Sequence, residues 1–154
     1  MAEHPALEAL SCYRWNRSLI ARADHPVLNR RPITLELLCD YPLITYVHGF
    51  TGGGHFRNSF ARLGLKPDVA LSAADTDVIK TYVREGLGIG IIASLAYSDK
   101  TDRDLEIIDL NRLFPWEMTR IAYNREKYLR HCERRFIELV QTNLADEGVW
   151  INPN

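Results

Sequence analysis

A chain of 154 residues is long enough to bury the core of one ordinary domain without a metal or disulfide staple, so a single domain is the default expectation. Apolar residues make up 46% and charged residues 25%, and 19 basic residues set against 20 acidic ones leave a formal net charge of −1 with a pI near 6.5. Charges so balanced and interspersed exclude the basic stripe by which a duplex-binding surface neutralises phosphates. No stretch approaches the ~18 apolar residues of a membrane helix.

Cys12, Cys39 and Cys132 are odd in number, far apart and in no metal-ligand spacing, which fits a reducing compartment and makes the cytoplasm the expected location. The opening "MAEHPALEAL" has neither a basic n-region nor an apolar h-region. From there the pattern alternates between strands and helices. "RSLIARA" (17–23) predicts a strand, "HPVLNRRP" a turn region, and "TLELLCD" a short helix capped by Thr34 and stopped before Pro42. "LITYV" (43–47) is a strand. After a glycine-rich loop, Phe56, Phe60 and Leu63 form one apolar helical face ended by Gly64. "PDVALSA" is again a strand. In "ADTDVIKTYVREG", Asp75 is the N-cap, Val78, Ile79, Tyr82 and Val83 lie on one side, and Gly86 marks the stop.

The strand "IGIIA" follows directly. "LEIIDL" (105–110) and "MTRIAYN" (118–124) add two more, and 128–144 is a last amphipathic helix with Leu129, Cys132, Phe136, Leu139 and Val140 inward. "RHCERR" within it is a solvated face rather than a nucleic-acid patch. The short β–α–β–α–β spacing implies an α/β fold, a mostly parallel sheet covered by helices on both faces. Ligands of such sheets bind outside the carboxyl ends of the strands.

"YVHGFTGGGHF" (46–56) occupies such a place. Its glycines let the backbone approach a ligand, the first amides of the next helix are unpaired, and Thr51 adds a hydroxyl donor, so an anion is the natural guest. The competing reading is a turn in which glycine serves only chain reversal. No Gly-Lys-Ser/Thr follows, which argues against ATP or GTP. "GLGIGI" (86–91) precedes a strand rather than opening a helix, and reads as a helix stop and a tight strand entry. His48 and His55 lack metal-ligand spacing, Asp75 and Asp77 read as helix capping rather than an acid/base pair, and no serine or cysteine sits in a nucleophile motif. Neither an enzyme nor a bound metal or cofactor is expected. Trp15 in "CYRWNRS" can pack and donate one hydrogen bond; packing alone is the simpler reading.

The succession "CYRWNRSLIARADHPVLNRRPITLELLCDYPLITYVHGFTGGG", then "SAADTDVIKTYVREGLGIGIIAS", resembles the inducer-binding region of LysR-type transcriptional regulators over roughly residues 8 to 140. The "HP" turn, the "ITLELL…YPLI" segment and the "GLGIGII" run carry the family; "WN", "GFTG" and "DVIKTYV" narrow it to the CysB-like branch, which controls sulfur assimilation and cysteine biosynthesis. The resemblance implies a lobe like that of a type II periplasmic binding protein, with a parallel or mixed sheet flanked by helices. Residues 1–154 then form an effector-binding domain fragment: a second lobe over 13–125 and a C-terminal helix and tail over 126–154, without the winged helix-turn-helix.

It further implies sulfate or an acetylserine-type inducer as ligand, with Thr51 and Trp15 as contacts and Gly49, Phe50 and Gly52 completing the loop. The first-lobe polar residues have no match here, and Gly53 departs from the branch, where a longer polar or basic residue is expected. The implied partners are a small-molecule or anion effector and further copies of the chain, in a dimer or tetramer of the full-length regulator. DNA would be bound only through the absent domain, and no membrane is involved. Two other classes share parts of the pattern: a solute-binding protein of an anion transporter, which needs an export signal and the missing lobe, and a small nucleotide-binding α/β enzyme, which needs a base, a nucleophile or a P-loop lysine.

Overall fold

The computed structural model describes residues 6–47 and 53–146, with side chains to 142. In chain order the elements are β1 (Leu7–Trp15), β2 (Arg17–Arg22), a 3-10 turn (Pro26–Asn29), α1 (Leu35–Leu38), β3 (Leu43–Tyr46), α2 (Gly53–Ala61), β4 (Val69–Ala73), α3 (Thr76–Arg84), β5 (Ile89–Ala93), a second 3-10 turn (Ser94–Ala96), β6 (Leu105–Asp109), β7 (Glu117–Asn124) and α4 (His131–Asp146). They fall into two compact units. One is Asn16–Trp116; the other combines the segment up to Trp15 with the segment from Glu117 onward.

The unit Asn16–Trp116 is a five-stranded sheet in the order β4-β3-β5-β2-β6. β3 pairs in parallel with β4 and β5, whereas β2 pairs antiparallel with β5 and β6. The sheet is therefore mixed, within the parallel-or-mixed expectation: β3, β4, β5 and β6 run one way and β2 the other, which the β–α–β spacing after residue 43 does not reveal. Helices cover both faces. On one, Ile79 and Val83 of α3 pack with Ile20, Ile44, Ala73, Ile92 and Leu105. On the other, Leu35 and Leu38 of α1 and Phe56 and Phe60 of α2 pack with Leu19, Leu43, Ile91, Leu110 and Phe114.

Local chemistry accounts for the element ends. The Thr34 hydroxyl accepts the Leu37 amide hydrogen at 3.2 Å and starts α1. Asp75 caps α3 by accepting from Asp77 N at 2.7 Å, so both carboxylates serve the helix start, as expected. Gly86 follows α3 with φ +77°, in the left-handed region that glycine enters without penalty. The next glycines are set by space rather than turning. A Cβ on Gly88 would lie 2.1 Å from the Pro42 carbonyl oxygen, and one on Gly90 2.6 Å from Ile20 Cγ1 and 2.9 Å from Val83 Cγ2. "GLGIGI" is thus a helix stop followed by a strand pressed against Pro42, β2 and α3.

Two apolar faces differ from expectation. In α3 the buried stripe is Ile79, Lys80 and Val83, while Val78 and Tyr82 are exposed. The stripe turns toward Lys80 because its ammonium reaches the Asp102 carboxylate at 2.7 Å, both side chains being buried. Leu63 is exposed because α2 ends at Ala61 and the chain there turns away toward Gly64, whose φ is +67°.

The other unit is a two-stranded antiparallel ribbon of β1 and β7 with α4. β1 was not evident as a strand: its register shifts between Ser11 and Tyr13, and such a bulge breaks the alternation that marks strands. Cys132, Phe136 and Leu139 of α4 are exposed and Leu129 and Val140 half-buried, so the inward face expected there is not an inner face. A ribbon of two strands offers too narrow a surface to cover it. "RHCERR" is exposed except for half-buried Glu133, which accepts the Arg130 amide hydrogen at 2.8 Å. No helix among the described residues is long and apolar enough to cross a membrane.

Candidate functional site

Because β3, β4 and β5 are parallel, their carboxyl ends at Tyr46, Ala73 and Ala93 share one edge of the sheet. β2 runs the other way, and Arg17 pairs with Ala93, so the start of β2 reaches the same edge. Two helices begin there. The N-terminus of α3 carries Asp75, which accepts the Asp77 amide hydrogen, and Asp77, and the two negative charges repel an anion. The first turn of α2 carries no acidic residue, and its sequence opens Gly53, Gly54, His55, Phe56, Arg57. Of the two, only α2 suits a negative guest.

Beneath this edge the polar groups bond to one another. The Tyr46 hydroxyl accepts the Ala93 amide hydrogen at 3.2 Å and lies 2.7 Å from the Thr76 hydroxyl, tying β3, β5 and the first residue of α3 together. Thr45 donates to the Ile91 carbonyl at 3.1 Å. Ser94 donates its hydroxyl to the Asn16 carbonyl at 2.9 Å, and its hydroxyl oxygen lies 2.8 Å from that of Ser18. Asn16, 2% exposed, accepts from Arg17 N at 2.6 Å and donates from Nδ2 to the Phe114 carbonyl at 3.3 Å. The Phe114 ring stacks on Phe56 of α2, centroids 5.5 Å apart and planes 19° apart, and the Arg17 guanidinium lies 5.7 Å from its centre.

At the far side of α3, Asp102 anchors a charged network. It binds Lys80 at 2.7 Å and Arg84 at 3.0 Å and accepts the Ser98 amide hydrogen at 3.0 Å; Arg84 also grips Asp104 at 2.6 Å. Burial pushes the Asp102 carboxyl up, but Lys80, the Ser98 amide and Arg84 together hold it below its ordinary value. This network is structural: each charge faces an opposite one.

Of the residues singled out in the sequence, Thr51, Gly49, Phe50 and Gly52 lie outside the described residues, as does His48. Trp15 ends β1 and is buried. His55 sits in the first turn of α2 and is exposed. Among the described residues no three His, Cys, Asp or Glu gather as a metal site. Sequence reasoning missed Asn16, Ser18 and Ser94, although Asn16 stands in the quoted "WN" pair, and it missed Lys80, which only its pairing with Asp102 makes buriable.

The unit Asn16–Trp116 is thus a mixed α/β lobe with helices on both faces and a carboxylate-free helix start at the carboxyl edge of its parallel strands. The profile of the LysR substrate binding domain matches residues 2–145, and the chain belongs to that family. It is 42% identical over 144 residues to the HTH-type transcriptional regulator CysB of Burkholderia cenocepacia, covering 94% of this chain and 46% of that protein. It is 38% identical over 149 residues to the regulator cbl of Escherichia coli K12, covering 97% of this chain and 47% of that protein.

The cofactor-binding domain of the Cbl transcriptional regulator superposes with a TM-score of 0.85 at 37% identity, over 98% of this chain and 68% of that one. The effector-binding domain of QuiR in complex with shikimate, 16% identical with a TM-score of 0.78, shares the fold. The chain spans about half the length of the curated relatives. Those relatives are transcriptional regulators by name, in agreement with the non-enzymatic reading, and the CysB-like resemblance stands.

Proposed function

We propose that the chain senses a small anion, sulfate or an acetylserine-type inducer, for a regulator of sulfur assimilation and cysteine biosynthesis. The observation that carries this reading is the likeness to CysB and cbl along nearly the whole chain. The carboxylate-free start of α2, directly after the loop that holds Thr51, agrees with it. In this reading the Thr51 hydroxyl and the backbone of Gly49, Phe50 and Gly52 receive the anion, and Gly53 shifts ligand choice. Trp15 is carried over from the resemblance as a ligand contact, with Trp15→Phe as its own test. Action is allosteric: the anion binds one arrangement of the regulator better than another, and that difference shifts the oligomer and its hold on a promoter. DNA is bound through the winged helix-turn-helix of the full-length regulator, in the cytoplasm.

Thermal shift with sulfate, phosphate, O-acetylserine, N-acetylserine and ATP tests this. A ligand at about 100 times its Kd stabilises by about 2.7 kcal/mol, which at about 2–4 °C per kcal/mol raises Tm by about 5–10 °C. Sulfate or an acetylserine gives that rise and ATP gives none. Stabilisation by ATP alone overturns the assignment.

A further inference from the structure

The chain passes between its two units twice, at Trp15/Asn16 and at Trp116/Glu117. The Asn16 side chain links the first crossing to a point two residues before the second. Asn16 is the first residue of the sheet unit, and its amide group accepts from Arg17 N at 2.6 Å while donating to the carbonyl of Phe114, two residues before the return crossing. Its own carbonyl is held by the Ser94 amide at 2.8 Å and the Ser94 hydroxyl at 2.9 Å, at the carboxyl edge of β5. The ring of Phe114 in turn stacks on Phe56 in the first turn of α2.

We infer that Asn16 is a positioning residue that joins the start of α2 to the two strands leaving the sheet unit. The contacts form a continuous path: Phe56 ring to Phe114 ring, Phe114 carbonyl to Asn16 amide, Asn16 backbone to Ser94. A displacement of the first turn of α2 moves Phe114, and through the Asn16 bridge it moves both crossing segments together. Beyond the crossings the first ribbon rung is Trp15 opposite Glu117. A two-stranded ribbon is marginal by itself, and holding the two chain ends close removes part of the entropy cost of pairing them. The bridge thus sets how firmly the first rungs of β1 and β7 pair. The ligand-linked half of this inference rests on the effector reading; the positional half does not.

Amide hydrogen exchange on the whole chain separates the two, using wild type, Asn16→Ala and Asn16→Asp, with and without sulfate. Asn16→Asp keeps the acceptor for Arg17 N and loses the donor to Phe114. Without sulfate, both variants exchange about 10-fold faster in the segments Arg14–Trp15 and Glu117–Met118, with Ile20, Ile44 and Ile91 within about 3-fold of wild type. With saturating sulfate, α2 slows in all three proteins and the ribbon segments slow only in wild type. Unchanged ribbon exchange in both variants overturns the inference. So does an equal loss of protection throughout the sheet, which would make Asn16 an ordinary core hydrogen bond. If sulfate slows α2 but not the ribbon in wild type, the coupling falls and the effector reading survives. If sulfate slows nothing, the effector reading falls, and the sulfate-free comparison alone decides the role of Asn16.

Discussion

Replacing Asp102 by Asn removes the negative centre that lets Lys80 lie inside the sheet unit. The Lys80–Asp102 contact is 2.7 Å, and the two side chains are 7% and 3% exposed. Removing one member of such a pair typically costs 3–5 kcal/mol, because the other charge stays buried. Two remaining carboxylates soften the loss: Asp77 lies 3.6 Å from the Lys80 ammonium, though 89% exposed, and Asp104 stays on Arg84. The cost should fall at the low end, about 3 kcal/mol, or about 6–12 °C in Tm. Lys80→Met costs less, since Asp102 keeps Arg84 and the Ser98 amide.

The pH dependence is distinctive. Asp102 titrates below its ordinary 3.8 in the folded protein, so its contribution is present above that value and lost as pH falls through the lower folded one. Thermal melts of wild type and Asp102→Asn should therefore differ fully at pH 7 and converge only as pH falls below 3.8. A difference under about 2 °C at pH 7, where about 6 °C or more is required, refutes the reasoning. So does a gap that stays constant with pH.

Gly90→Ala places a methyl against Ile20 and Val83 side chains, which yield at a cost of about 1–3 kcal/mol, whereas Gly88→Ala meets the rigid Pro42 carbonyl at 2.1 Å and should be the more damaging in a urea melt. His25 accepts the Val27 amide hydrogen through Nδ1 at 3.2 Å, and burial lowers its pKa from 6.5, with Asp24 opposing and Arg22 assisting. The 3-10 turn is therefore most stable above pH 6.5 and loosens as pH falls through the lower folded value, readable as faster exchange of the Arg30 amide, which donates to the Val27 carbonyl.

Much of the sheet unit was legible because its cues are local. Thr34, Asp75 and Gly86 mark ends by chemistry that acts within a few residues. The strands after residue 43 are short apolar runs bounded by such marks. What escaped depends on distant partners. β1 pairs with β7 about a hundred residues away and carries a bulge, so neither its period nor its neighbours announce it. Lys80 is buried because Asp102, beyond β5, supplies its counter-charge. Asn16 stood in plain view, but its importance lies in a bond to Phe114, far along the chain. The composition of the glycine loop suggests an anion, but residues 48–52 lie outside the described residues, so Thr51 rests on the family likeness and not on a described geometry.

Equilibrium dialysis of labelled sulfate against wild type and Thr51→Ala, at fixed ionic strength, tests the central claim most directly. A hydrogen bond to a charged group contributes about 1.5–3 kcal/mol, so wild type should bind sulfate saturably and Thr51→Ala with a Kd about 10- to 100-fold higher. Equal Kd values for the two proteins, or no saturable binding to wild type, would contradict it.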